Sequence, residues 1–142
     1  MNKKQQSGTL HLTQKTHYGL FLLVTLAKNP DQNLSIKTIS KQNHIPFAFL
    51  QKIASNLQKG KIIKANRGKY GGYVLIKDPQ KITLKKIIET LEGPVALASC
   101  LDPTCHTKCN KEANCIIKNG LKKINNEIKN QLLSKKLTYF FS

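Results

Sequence analysis

The sequence is short of acid: 7 Asp and Glu stand against 24 Lys and Arg, a formal net charge of +17 over 142 residues. The few acids that concern catalysis (Glu89, Glu92, Asp102, Glu112) are scattered, with no nucleophile and base set around them, so an enzyme is not expected. Long apolar runs are also missing. The longest, Tyr18 to Ala27, is too short to cross a bilayer as a helix. The opening MNKKQQSGTLHLT has no apolar segment leading into a small-residue cleavage site, so it does not read as a secretory signal. The expectation is a cytoplasmic protein, associated with the nucleoid and without membrane contact.

Cysteine is absent everywhere but one place. Cys100, Cys105, Cys109 and Cys115 all fall in CLDPTCHTKCNKEANC. Thiols gather for disulfides, for a soft metal or iron–sulfur centre, or for redox exchange. A reducing cytosol disfavours disulfides, which leaves metal binding or redox sensing. The intervening gaps are four, three and five residues. That spacing has no pair separated by two residues, so it lacks both the paired knuckles of zinc ribbons and the motif of thiol exchangers. A structural zinc site closed by all four thiols is the alternative to an iron–sulfur cluster.

Positive charge is what the chain has in excess. Residues 1–80 hold thirteen Lys and Arg against Asp31 and Asp78 alone. Such a field attracts polyanions, and phosphate neutralisation with counterion release is its commonest use. A lysine- and asparagine-rich composition also follows from a genome's base content, so charge by itself does not assign DNA binding.

Apolar residues on nearly every side of Thr13 to Lys28 predict a buried helix, ended by Asn29, Pro30 and Asp31. Ser35 caps a short helix through Asn43, and Pro46 suits the first turn of another. The latter carries Phe49, Leu50, Ile53, Ala54 and Leu57 at helical spacing before Gly60. Two helices about three residues apart read as helix-turn-helix. Lys61 to Asn66 and Tyr73 to Ile76 are β-compatible runs around a glycine-rich tip, which makes a wing. Thr83 opens a helix closed by Gly93 and Pro94. After the cysteine loop, Ile117, Leu121, Ile124, Ile128 and Leu132 form a narrow stripe on a helix expected over residues 116–137, suited to pairing with its own copy.

The expected fold is therefore mostly α with a small β-hairpin wing: a winged helix-turn-helix with a long C-terminal dimerisation helix. Residues 1–9 read as a flexible extension and 10–80 as the winged DNA-binding domain. Residues 81–142 hold a helix, the cysteine loop (98–115) and the dimerisation helix. A helix-turn-helix puts the start of its second helix near base edges, here Phe47, Ala48, Gln51 and Lys52. Gln51 can grip adenine, and Lys52 can reach guanine or phosphate. Arg67 at the wing tip suits a narrow minor groove, and Lys69 suits phosphate.

The stretches HLTQKTHYGLFLLVTLA and IPFAFLQKIASNLQKGKIIKANRGKYGGYVL, with the late cysteine loop and long last helix, resemble the bacterial Rrf-type winged-helix repressors, among them the iron–sulfur regulators IscR, NsrR and RirA. RGKYGGY at 67–73, preceded by FLQKI at 49–53, is the most specific part. The resemblance implies a cytoplasmic homodimer on a dyad site in double-stranded DNA. It also implies an iron–sulfur cluster, of the two-iron or four-iron kind, whose state sets DNA affinity in response to iron, redox state or nitric oxide. Family members present three cysteines with about five residues between the last two. Cys100, Cys109 and Cys115 match with Cys105 extra; a tighter first gap would instead take Cys100, Cys105 and Cys115. A further ligand in the family comes from the loop or from early in the first helix, sometimes of the partner subunit, and His17 holds the matching position here. His106 and Cys105 are the other contenders. A regulator sensing by thiol oxidation or by a small metabolite, without a cluster, is the remaining alternative.

Overall fold

The computed structural model describes residues 12–141; the extension expected over residues 1–9 lies outside them. Helix α1 (Gln14–Lys28) starts where the Thr13 hydroxyl accepts from the Thr16 amide at 3.3 Å, which satisfies one of the amides a helix start leaves unpaired. It ends at Asn29, whose side-chain amide donates to the Thr25 carbonyl at 2.9 Å. Helix α2 (Ile36–Asn43) closes on His44 in the left-handed region, φ 53°. There the Ile45 amide donates to the Ser40 carbonyl at 3.1 Å and the Ser40 hydroxyl donates to the Ile45 carbonyl at 2.6 Å. These reciprocal bonds set the turn into α3 (Phe47–Lys59). Pro46 sits at the N-cap of α3, one position before the first turn expected for it.

Strands β1 (Ile63–Asn66) and β2 (Gly72–Leu75) form the antiparallel wing, with Ile63 opposite Leu75 and Asn66 opposite Gly72. Leu34 adds a one-residue third strand by exchanging backbone bonds with Tyr73 at 2.9 and 3.3 Å. A side chain at Gly72 would meet the Leu34 carbonyl group at 2.7 Å, so this approach of backbones requires glycine. Helix α4 (Leu84–Glu92) is capped by Thr83 and buries Ile87, Ile88 and Leu91.

One core unites Leu22, Leu23 and Leu26 of α1 with Leu50, Ile53 and Leu57 of α3 and Ile87 and Leu91 of α4. Each fully buried Leu or Ile contributes about 1.5–3 kcal/mol through area removed from water. Where α1 meets α4, the buried Thr16 hydroxyl donates to Glu92 Oε1 at 2.7 Å, and the Thr13 hydroxyl donates to the same oxygen.

The last helix, α5 (Lys118–Ser134), is shorter than its apolar stripe predicts at both ends. Ile116 and Ile117 precede it, with no side chain capping the start. At the other end the chain leaves the helix so that Leu137, in a short 3-10 turn, becomes fully buried in the core. Two backbone bonds of 2.8 Å hold that departure, Leu84 to Lys135 and Leu137 to Ile82.

Candidate nucleic-acid interface and cysteine loop

On α3 the inward positions Leu50, Ile53, Ala54 and Leu57 leave Phe47, Ala48, Gln51 and Lys52 exposed as two adjacent rows, since residues four apart share a helix face. A shallow groove of about 220 Å³ lies between Lys37 of α2, Phe47 and Gln51 of α3, and Gly71 and Tyr73 of the wing. Lys37 was not marked by the sequence; its signal is a lysine at the start of the helix before the turn.

At the wing tip Gly68 has φ 124° and its carbonyl accepts from the Gly71 amide at 3.0 Å, which leaves Arg67 and Lys69 projecting into solvent. Lys69 Nζ lies 5.8 Å from the centre of the Tyr70 ring, and Tyr70 is 80% exposed. Asn66 at the wing base donates from its side-chain amide to Asn33 Oδ1 at 2.6 Å, tying the wing to the segment before α2. Among the described residues the ion pairs are Lys85 with Glu89 at 3.6 Å and Lys118 with Glu112 at 3.0 Å. Lys52, Arg67 and Lys69 therefore have no acidic partner there, and their charge is free for phosphate. Lys52 of α3 and Arg67 and Lys69 of the wing are all exposed.

The cysteine loop leaves α4 through Gly93, φ 95°. Its first leg is pinned where the Leu97 amide donates to Oδ1 of Asn125, a buried side chain of α5, at 2.9 Å. Asp102 then closes a turn: one carboxylate oxygen accepts from the Thr104 hydroxyl at 2.7 Å and the Thr104 amide at 2.8 Å. Those two bonds, the hydroxyl's first, hold the Asp102 carboxyl below the ordinary carboxylate range. Farther on, the hydrogen bond and charge of Glu112 hold the Lys118 ammonium above the ordinary lysine range, with smaller contributions from Cys100 and Cys115.

All four thiols are free; Cys100 and Cys109 are exposed, Cys105 and Cys115 half-buried. Among the described residues no three His, Cys, Asp or Glu side chains converge as a metal cage. His17 lies apart on α1, in an apolar depression of about 350 Å³ with Leu20, Phe21, Val24 and Phe140. Within one subunit the structure thus does not bring His17 to the thiols. No helix of the described residues is long and apolar enough to cross a membrane.

A turn-linked helix pair with a β wing, cationic along the second helix and the wing, defines a winged-helix DNA-binding protein. Residues 12–141 match the model of the Rrf2 family, described as iron-dependent transcriptional regulator, and the chain belongs to that family. It is a DNA-binding transcriptional regulator and not an enzyme. It is 35% identical over 94 residues to the HTH-type transcriptional regulator CymR of Bacillus subtilis, covering 66% of this chain and 68% of CymR. The solved structure of CymR, the global cysteine regulator of B. subtilis, superposes with a TM-score of 0.72 at 30% identity, covering 91% of this chain and 94% of that one. T. potens IscR superposes with a TM-score of 0.70 at 26% identity, over 91% of this chain and 84% of its own.

Proposed function

We propose that this regulator is a cytoplasmic, homodimeric repressor whose operator affinity is set by an iron–sulfur cluster on the cysteine loop. The observation that carries the reading is the loop itself: four free thiols on one segment between α4 and α5, with no buried residue from Glu92 to Ile124 to fix its shape. Soft thiolate donors in this number fit iron and sulfide, and zinc as the alternative. The loop has to draw its thiols together to hold either, and only local polar bonds resist that. Cys100, Cys109 and Cys115 are the proposed ligands, with Cys105 in place of Cys109 as the variant set. His17 of the partner subunit would complete the site. A bound cluster supplies a centre whose charge and integrity respond to iron supply, oxidants or nitric oxide.

The chain's own residues supply the rest. Glu92 belongs both to the end of α4 and to the Thr13 and Thr16 hydroxyls of α1, so the root of the loop is bonded to the helix on which α3 packs. Gln51 and Lys52 read bases and phosphate, Ala48 is exposed one turn before Lys52 on the same face, and Arg67 and Lys69 bring the wing onto the backbone or minor groove. The dimer is supported by apolar side chains left open on α5 and beside it, with Ile116 96%, Ile117 60% and Ile124 49% exposed.

A specific observation favours a second reading on the same loop. All four thiols of the loop are free, and Cys100 and Cys109 are exposed to solvent. A pair of these thiols can join in a disulfide when an oxidant such as peroxide takes up the two electrons and two protons released.

Anaerobic purification, with iron and zinc analysis and absorption spectra, tests the proposal. It is paired with anisotropy measurements on an operator selected from random DNA, before and after nitric oxide. A coloured, iron-bearing protein whose affinity changes as colour is lost is expected. Zinc without iron would select the structural site. A metal-free protein that responds only to peroxide would select the disulfide.

A further inference from the structure

Helix α3 carries two phenylalanines, and the fold uses only one of them. Phe49 packs on the core and meets the Tyr18 ring edge-on, 5.7 Å between centres. Phe47, the first residue of the helix, is absent from the packed cluster and 44% exposed. It lines the groove shared with Ile36, Lys37, Gln51 and Tyr73 of the wing, with much of its ring still open to solvent. An apolar ring gains nothing from water there. Its position one helical turn before Gln51 puts both side chains in one row along the face that meets DNA.

In the major groove the one apolar group a base pair offers is the 5-methyl of thymine, and phenylalanine is among the side chains that pack on it. Gln51, next in the row, has the donor and acceptor pair that matches adenine. We propose that Phe47 is a specificity-determining residue, its ring packing on the 5-methyl group of a thymine in the step beside the base that Gln51 reads. This rests on α3 being the reading helix. The operator half-site then contains a preferred thymine that no hydrogen bond reports, beside an adenine that one does.

The test uses the full-length protein and an operator selected from random DNA, with each thymine of one half-site replaced in turn by deoxyuridine, which removes the methyl alone. The wild type is expected to lose about fourfold in affinity at one position, the change that burying one methyl-sized group corresponds to. The Phe47→Ala protein binds the thymine and deoxyuridine operators equally, and Phe47→Leu, which keeps an apolar tip, retains part of the preference. Thermal unfolding of both variants matches the wild type, because the ring is outside the core. The proposal is overturned if no deoxyuridine weakens wild-type binding, or if Phe47→Ala keeps the same preference. Gln51→Ala separates the failures: if it weakens binding while Phe47→Ala keeps the preference, the proposal alone is wrong. If Gln51→Ala and Phe47→Ala both leave affinity unchanged, the assignment of α3 fails with it.

Discussion

The winged-helix head and the cysteine loop are held by different means. In the head, α1, α3 and α4 share one apolar core with many side chains wholly removed from water. In the loop nothing is buried, and shape comes from short backbone turns and a few polar side-chain bonds: Leu97 to Asn125, Thr104 to Asp102, Lys118 to Glu112. Close packing resists small displacements and admits one arrangement, whereas a segment tied by a few polar bonds opens locally at little cost. The head is a fixed reader and the loop is the part free to rearrange.

The contrast breaks if core damage spares the head. Leu50→Ala, at a position with no exposure, should cost about 2–5 kcal/mol, read as a lower midpoint in thermal or urea unfolding. A loss under 1 kcal/mol would mean that the core is not what holds α3. Asn125→Ala should cost less, about 1–2 kcal/mol, by leaving the Leu97 amide without its acceptor. Its signature is faster hydrogen exchange at residues 95–105 with little change in α3, and uniform loosening would erase the distinction between the regions. The smallest effect is a pH response confined to the loop. Because folding lowers the Asp102 pKa, the turn's contribution is fully present above the ordinary carboxylate pKa. It is lost as pH falls through the lowered one. Amide resonances of Thr104 and Cys105 should therefore shift in acid while those of α3 stay put, and Thr104→Ala should move that transition up toward ordinary carboxylate values.

The same contrast explains what could be read from the sequence. The helices of the head announce themselves through periodicity and through Thr83 at the start of α4, because local rules and the tertiary core agree there, whereas Ser35 stands at the N-cap of α2 without making a side-chain capping bond. The wing is equally legible, down to the glycines at its tip. Leu34 pairing with Tyr73 is not, since a one-residue strand has no period. The stripe from Ile117 to Leu132 carries the expected helix on to Leu137; only the fold shows that Leu137 turns off to fill the core. Asn125 reads as part of a polar helix face, yet it is buried because a backbone amide from the loop needs it. On the site, the exposure of Ala48, Gln51, Lys52, Arg67 and Lys69 follows from where the apolar positions lie. The arrangement of the thiols does not, because their loop has no packing pattern to leave a trace in the sequence.

The tie between Lys135 and Leu84, with Leu137 locked beneath, gives α5 a mechanical character. A helix of 17 residues is about 25 Å long. It is anchored in the core just beyond its last turn and joined to the thiol-bearing segment before its first, and between the two Asn125 is buried and the helix packs on α4. Strain placed on the loop therefore enters the core through the packed middle of α5, while its uncapped first turn is the part that yields.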